Sequence, residues 1–195
     1  MTVTDPDVIL GEGLVLRVPV RADRSRWLAM ARDPDQLRLG SPAFVAVPET
    51  VEDLDVRIAL AATAYASVTP GTLVMAGADE PDRLLGTIAW RLDVPPVLQV
   101  SDIGYSVHPD ARGRGVARRA LAALTRWLTT DPEGPAHARV QLDHSVENRA
   151  SCRVALAAGF AQEGVRRAFL PLRDPDAPGG VRRHDVCLHG FVPGL

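Results

Sequence analysis

Residues 97–117 read VLQVSDIGYSVHPDARGRGVA, and this stretch decides the fold. The β-branched, aromatic and apolar residues from Leu98 to Val107 are typical of a strand, and His108-Pro109-Asp110 interrupts that run. After Arg112-Gly113-Arg114-Gly115, apolar residues recur at helical spacing from Val116 to about Thr130. The stretch therefore predicts a strand that leads through a glycine-arginine turn into an amphipathic helix.

A turn of this kind can bind an anion at the start of its helix. The first helical turn has backbone N–H groups without intrahelical partners, and it lies at the positive end of the helix dipole. Glycine lets a phosphate approach this backbone closely, and four nearby guanidinium groups suit phosphate oxygens: Arg112, Arg114, Arg118 and Arg119. We predict a diphosphate ligand, and the alternative for this motif alone is an ordinary surface turn.

Two blocks of the sequence resemble one family. Arg112-Gly113-Arg114-Gly115-Val116-Ala117 resembles the (Gln/Arg)-x-x-Gly-x-(Gly/Ala) signature of the GCN5-related N-acetyltransferase (GNAT) superfamily, whose loop holds the pyrophosphate of acetyl-CoA. The preceding Gly104–Pro109 resembles the fourth strand of that family. Downstream, three segments resemble the branch that includes the ribosomal-protein N-terminal (alanine/serine) acetyltransferases: Arg139-Val140 its fifth strand, Asn148-Arg149-Ala150-Ser151 its helix start, and Ala158-Gly159-Phe160 its closing Gly-Phe.

Composition limits the class of protein. With 195 residues and 46% hydrophobic side chains, the chain can bury one full core, and we predict a single domain over residues 1–195. A net charge of −2 provides no global field for nucleic acid, so we expect no nucleic-acid partner. All 22 basic residues are Arg, which excludes a lysine-containing phosphate loop.

The sequence predicts neither a membrane-spanning segment nor a metal-binding site. No apolar run reaches the length of about 20 residues that a membrane span needs, and no secretion signal is evident near Met1, so we expect a cytoplasmic protein without a membrane partner. The two cysteines, Cys152 and Cys187, lack metal-site spacing, and the histidines at 108, 137, 184 and 189 are scattered. We therefore predict no metal.

The remaining periodicities predict the element order β-α-α-β-β-β-α-β-α-β-β, which is that of the GNAT fold over nearly the whole chain. The fold class is α+β, a three-layer α/β sandwich whose mixed, mostly antiparallel sheet contains, by resemblance, a splayed parallel pair of the family's fourth and fifth strands. Residues 36–48 show no clear period and are predicted as a loop. Residues 171–182 are predicted as a long loop, either a flap over an acceptor site or a hairpin tip. We expect residues 36–66 and 171–182 to shape the acceptor pocket.

The resemblance implies a set of coenzyme contacts. The backbone of Tyr105, Ser106 and Val107 is expected to bind the pantetheine arm, and the N–H of Val107 is expected to stabilise the thioester oxyanion. The diphosphate contacts are assigned to the turn residues Arg112, Gly113, Arg114, Gly115, Val116 and Ala117. Asn148 resembles a further pantetheine contact, with an ordinary helix cap as the alternative.

The proton transfers require two more groups. An ammonium ion cannot attack a thioester, so a base must remove the proton of the amine, and Asp102 is the first candidate, with His144 and Glu147 next. A structural salt bridge is the alternative for Asp102. Ser151 matches the serine that this branch places near the coenzyme sulfur, as proton donor or thiolate anchor, and the alternative is a hydroxyl that bonds its own helix backbone.

The predicted function is an acetyl-CoA-dependent N-acetyltransferase that acts on a primary amine, either a protein N-terminus or a small molecule, in a ternary complex. A non-catalytic acyl-CoA-binding or sensor module of the same fold is the first alternative. A dinucleotide-binding domain is a remote one, because Arg118 replaces the third small residue of that motif and three other strands precede the turn. Members of the family often pair, so a homodimer is possible.

Overall fold

One mixed sheet of eight strands organises the computed structural model, which describes residues 8–93 and 95–195. Residues 1–7 of the predicted domain and Val94 of a predicted turn lie outside the described residues. The sheet order is β1-β2-β3-β4-β5-β6-β8-β7. The strands are β1 (Val8–Gly11), β2 (Leu14–Arg17), β3 (Gly71–Gly77), β4 (Gly86–Leu92), β5 (Val100–Val107), β6 (Arg139–Ser145), β7 (Ala161–Arg173) and β8 (Val181–Phe191).

In the described part of the chain, five α-helices pack on the sheet: α1 (Arg24–Ala31), α2 (Pro34–Leu39), α3 (Asp55–Ala66), α4 (Val116–Thr129) and α5 (Arg149–Ala157). The face that packs on α4 contains the larger core cluster, in which Leu121 and Leu124 meet Ile88 and Ile103. A second cluster joins α1 to the opposite face of β3. The sheet is therefore buried between two helical layers, and among the described residues no helix is long and apolar enough to cross a membrane.

The centre of the sheet separates between β5 and β6. These two strands pair in parallel only from Val100–Arg139 to Asp102–Gln141, whereas β5 continues to Val107 and β6 to Ser145. All other strand pairs are antiparallel. The predicted fold class, with its splayed parallel pair, is confirmed. The family's fourth and fifth strands are β5 and β6 here, because one additional strand precedes them.

That additional strand, β1, forms a hairpin with β2 through Glu12 and Gly13. Both turn residues have positive φ, 51° and 73°, which gives the twist that a two-residue hairpin requires.

The prediction of a loop over residues 36–48 is wrong at its start, where α2 extends to Leu39. Asp33 caps α2 by accepting a hydrogen bond from the N–H of Gln36, and Pro34 occupies the first helical position.

The predicted loop over residues 171–182 is also largely wrong. Strand β7 extends to Arg173 and β8 begins at Val181, so only residues 174–180 connect them. Pro171 is tolerated within a strand because β7 lies at the edge of the sheet. The outer edge of β7 instead meets the segment after α2, where the N–H of Ala43 donates to the carbonyl of Pro171 at 2.8 Å. Residues 174–180 therefore form the tip of the β7–β8 hairpin, which is the second of the two alternatives given for this predicted loop.

Gly86, at the start of β4, lets this strand approach β5 closely. A Cβ on Gly86 would overlap the carbonyl oxygen of Ser106 and lie 2.5 Å from Cε of Met75. We predict that Gly86→Ala lowers the free energy of unfolding by about 2 kcal/mol, as overpacking does in other cores. Gly104→Ala is the matched control, because nothing lies within 4 Å of a Cβ there. Equal urea midpoints for the two variants would contradict this account.

Candidate active site

A cavity of about 1510 Å³ opens where β5 and β6 separate. Its walls come from β4, β5, the turn before α4, the start of α5 and the segment from Asp35 to Pro48. Of the residues 171–182 that were predicted to shape the acceptor pocket, only Pro171 lines this cavity, next to Phe169 and Leu170. The fold therefore brings most predicted site residues to one cavity although they are distant in sequence.

The turn before α4 has the geometry that a phosphate cradle needs. Gly113 and Gly115 have φ values of 74° and 70°, and Gly115 is the N-terminal cap of a helix of 14 residues. Val116 and Ala117 are buried and anchor the first turn of that helix. The backbone N–H groups at the N-terminus of α4 thus border the cavity, which lies against Gly113, Gly115 and Val116.

Three of the four arginines expected to contribute free charge are bound to other parts of the chain. Arg112 donates to the carboxylates of Asp33 and Asp35, and its Nε lies 3.4 Å from the carbonyl of Val107. Arg118 pairs with the Glu12 carboxylate at 2.7 Å, and Arg119 donates to the Glu12 carbonyl at 2.9 Å. The fourth is Arg114, an exposed residue for which no hydrogen bond or ion pair is found among the described residues.

Two hydroxyl groups meet at the start of α5. The Oγ of Ser151 lies 2.7 Å from the Oη of Tyr105, so this hydroxyl contacts β5 rather than the backbone of its own helix. Burial raises the pKa of Tyr105 to about 12, which keeps the phenol protonated at neutral pH. The sequence predicted only a backbone role for Tyr105, and no local signal connects residues that are 46 positions apart.

Asn148 caps α5. Its Oδ1 accepts a hydrogen bond from the N–H of Ser151 at 3.1 Å, which fixes the first turn of the helix beneath the hydroxyl pair. The helix-cap alternative for Asn148 is therefore present in the structure. A pantetheine contact by the same residue stays a prediction.

Asp102 lies on β5 and lines the cavity. Burial raises the pKa of this carboxyl to about 6, against the lowering effects of Arg91 and Gln141 and with added repulsion from Asp143 and Asp93. The Nη2 of Arg91 donates to Asp102 at 2.9 Å, so the salt bridge that was the alternative is formed. A carboxylate with this pKa is nevertheless a suitable base near neutral pH.

The two further base candidates are less well suited. Hydrogen bonds from Arg182 hold the pKa of Glu147 below its ordinary value, which makes this carboxylate a weak base. Burial lowers the pKa of His144, and both nitrogens of its ring have partners in the protein, at 2.9 Å and 3.1 Å.

The three expected pantetheine contacts follow on β5. Tyr105, Ser106 and Val107 all line the cavity. From Ile103 onward, the edge of β5 that faces β6 has no paired strand, although β4 pairs with the opposite edge as far as Val107. An unpaired strand edge offers N–H and C=O groups to an extended ligand.

One contribution to the site was not predicted. Arg173, near the end of β7, donates hydrogen bonds to four carbonyl groups of the segment that follows α2: Ser41, Pro42, Ala43 and Val45. This segment forms a wall of the cavity through Phe44, which is 75% exposed, and its neighbours. No local pattern around Arg173 could have revealed these contacts, because its partners are about 130 residues away.

Comparison with known proteins places this geometry in a family. The sequence matches the family model described as "Acetyltransferase (GNAT) domain" over residues 13–161. No curated protein matches the chain. Several solved structures share its fold.

Mycobacterium smegmatis RimJ, in complex with CoA-disulfide, has a TM-score of 0.79 and 19% identity, and the match covers 96% of this chain and 88% of that one. The ribosomal-protein-S5-alanine acetyltransferase from Vibrio fischeri has a TM-score of 0.76 and 17% identity, with 96% and 97% covered. The microcin C7 self immunity acetyltransferase MccE, in complex with acetyl-CoA and AMP, has a TM-score of 0.68 and 18% identity, with 93% of each chain covered.

Because the family match spans most of the sequence and includes the strand and turn around the cavity, this chain belongs to the GNAT acetyltransferase domain family.

Proposed function

We propose that the whole chain, residues 1–195, is one acetyltransferase domain that transfers the acetyl group of acetyl-CoA to a primary amine. The observation that carries this proposal is the convergence on one cavity of three features with complementary chemistry. These are the glycine turn at the N-terminus of α4, the Tyr105–Ser151 hydroxyl pair, and the buried carboxylate of Asp102.

The coenzyme would lie along β5 from the turn to the hydroxyl pair. Its diphosphate would accept hydrogen bonds from backbone N–H groups between Arg112 and Ala117, with Arg114 as the available guanidinium. The pantetheine amides would bond the unpaired edge of β5 at Tyr105 to Val107. This direction brings the thioester toward Ser151, whose hydroxyl contacts Tyr105 of β5.

The acceptor amine would approach from the side of Asp102. Side chains alternate between the two faces of a strand, so Asp102 and Tyr105 lie on opposite faces of β5. The Asp102 carboxylate takes a proton from the ammonium group, and the neutral amine then attacks the carbonyl carbon of the thioester. The N–H of Val107 is the proposed donor to the oxyanion.

Collapse of the tetrahedral intermediate breaks the C–S bond and releases the thiolate of coenzyme A. Ser151, supported by the neutral phenol of Tyr105, donates a proton to that sulfur. The nitrogen of the intermediate loses one proton as the amide forms, and this proton replaces the one that Ser151 gave to the sulfur. Asp102 then releases to solvent the proton that it took from the ammonium group. The acetyl group passes directly between the two substrates in a ternary complex.

The acceptor is a protein N-terminus or a small-molecule amine. Among the neighbours, one is named a ribosomal-protein-S5-alanine acetyltransferase and another a microcin C7 self immunity acetyltransferase, so the fold occurs in enzymes of different names. The segment from Gly40 to Pro48, held by Arg173, forms the acceptor wall and is the place where specificity would be set.

Release of coenzyme A thiol tests the proposed function. Purified protein is incubated with acetyl-CoA and, separately, with Ala- and Ser-initiated peptides, polyamines and aminoglycosides. We expect thiol release that depends on one of these amines and a matching net increase of about 42 Da in that acceptor, because the acetyl group replaces one hydrogen. Stabilisation by acetyl-CoA without thiol release on any amine would favour the non-catalytic binding module, and stabilisation by NAD instead would favour the dinucleotide-binding domain.

The unpaired Arg114 should contribute to coenzyme affinity. We predict that Arg114→Ala raises the Kd for acetyl-CoA about fivefold, the effect of one exposed charge pair, and that added salt reduces this difference. Isothermal titration at two ionic strengths measures both effects. Arg167→Ala is the matched control, because Arg167 is also exposed but lies on β7, outside the glycine turn. Equal Kd values for the two variants would exclude a role for Arg114.

Ser151→Ala tests the proton donor. We predict that kcat falls about 10²-fold, as expected for the loss of a general acid, while the Kd for acetyl-CoA is unchanged. Tyr105→Phe should cause a smaller loss, because Ser151 keeps its hydroxyl. The neighbouring Cys152→Ser variant should retain the kcat of the wild type. An unaltered kcat in Ser151→Ala would remove Ser151 from the mechanism.

Asp102 should control the pH dependence of kcat/KM. The carboxylate is the active form, so we predict that kcat/KM rises with pH through an inflection at about 6, the pKa that burial gives Asp102. Asp102→Asn should lose this inflection and keep only the one due to the amine substrate. Since Arg91 lowers the pKa of Asp102, Arg91→Ala should move the inflection to higher pH, whereas Arg91→Lys should not. An inflection near 6 that survives in Asp102→Asn would assign it to another group.

A further inference from the structure

Three side chains that bind soft or borderline metal ions meet beneath α5, although the sequence had separated them. His144 lies on β6, and Cys187 and His189 lie on β8, where the strand register places His144 opposite Cys187 and Leu142 opposite His189. The three residues therefore share one face of the sheet. One ligand atom from each lies within 4.8 Å of the others, and all three residues are buried. We call this group the His-Cys cluster.

The hydrogen bonds of His144 fix which nitrogen faces the cluster. Its Nδ1 lies 2.9 Å from the carbonyl oxygen of Ser145, which can only accept, so Nδ1 carries the proton. Nε2 then presents a lone pair toward Nε2 of His189, at 3.1 Å. A histidine whose outer N–H donates to a backbone carbonyl is oriented in the way that metal-bound histidines usually are.

His189 lacks the partners that other buried histidines have. His137 and His184 each contact a serine hydroxyl, at 2.5 Å from Ser101 and 2.8 Å from Ser145. His189 is fully buried, and its Nδ1 has no hydrogen-bond partner among the described residues. Its other nitrogen meets only the imidazole of His144. The ring is thus held in the interior with little of the hydrogen bonding that normally accompanies burial.

We propose that His144, Cys187 and His189 form a binding site for Zn²⁺. Two imidazoles and one thiolate are ligands that this ion prefers, and three protein ligands leave a fourth position for water. Tetrahedral bonds to nitrogen and sulfur separate ligand atoms by about 3.3–3.6 Å, so the site needs an inward shift of no more than about 1 Å. His144 also lines the large cavity, which gives a metal ion a route to the cluster.

The charges around the cluster are compatible with a cation. Burial lowers the pKa values of His144 and His189, whereas the negative charge of Asp143 raises that of His144 and the negative charge of Glu163 raises that of His189. Cys187 must lose its proton to coordinate, and burial and the nearby Cys152 raise the pKa of that thiol. His189 must also move its proton from Nε2 to Nδ1, and this shift releases no proton. The one proton released for each Zn²⁺ bound is therefore that of Cys187. Affinity should therefore weaken as the pH falls. The acetyl transfer proposed above uses no metal, and the site does not depend on it.

Cobalt substitution tests the site. Metal-free protein with its full chain is titrated with Co²⁺ at pH 8, and we expect a thiolate-to-cobalt absorption band that Zn²⁺ abolishes by displacing the cobalt. Zn²⁺ at a hundred times its Kd should raise the Tm by about 5 °C or more. Cys187→Ser should remove the band and raise the Kd for Zn²⁺ at least about 100-fold. His189→Gln should weaken binding similarly.

Cys152→Ser is the matched control, because it removes the other cysteine and leaves the three ligands intact. It should keep the cobalt band. Failure of the wild-type protein to develop the band or to gain stability with Zn²⁺ would overturn the proposal, whatever the variants do. Loss of the band in Cys152→Ser, or its survival in Cys187→Ser, would also overturn it.

Discussion

The site depends on one feature of the sheet, which is that β5 and β6 pair over only a short distance and then separate. Their parallel register ends after Asp102 and Gln141, and from that point the backbone of β5 is free on one edge. A sheet that continued to pair would leave no space between its central strands, and the cavity lined by Tyr105 and Ser106 would not exist. The strands that flank this gap remain paired on their other sides, to β4 and β8, so the opening is held by a rigid frame.

Ion pairs position the turn at the mouth of this opening. Arg112 connects the turn to α2 through Asp33 and Asp35, and Arg118 connects α4 to the first hairpin through Glu12. These arginines hold elements of the N-terminal half against the turn rather than remaining available to a ligand. The turn offers a ligand mainly its backbone N–H groups, and their positions are set by the positive φ angles of Gly113 and Gly115.

Burial differentiates the titratable groups around the gap. It raises the pKa of Asp102 to about 6 and that of Tyr105 to about 12, and these two residues lie on opposite faces of the same strand. The same effect lowers the pKa values of His144 and His189, whose Nε2 atoms lie 3.1 Å apart beside Cys187. In each case burial shifts the pKa so as to favour the uncharged form of the group.

The sequence by itself determined the family, the fold class and the course of the chain from β5 through the turn into α4, because these rest on local patterns: alternation, helical spacing and the glycines of the turn. It also indicated the first turn of α5 through Asn148 and Ser151. It could not determine the partners of those residues. Residues far apart in the chain are joined in four places: the contact of Ser151 with Tyr105, the ion pairs of Arg112, the hydrogen bonds of Arg173 to the segment after α2, and the His-Cys cluster. Only the tertiary structure decides such contacts, because strand order and register, not local propensity, set which side chains meet.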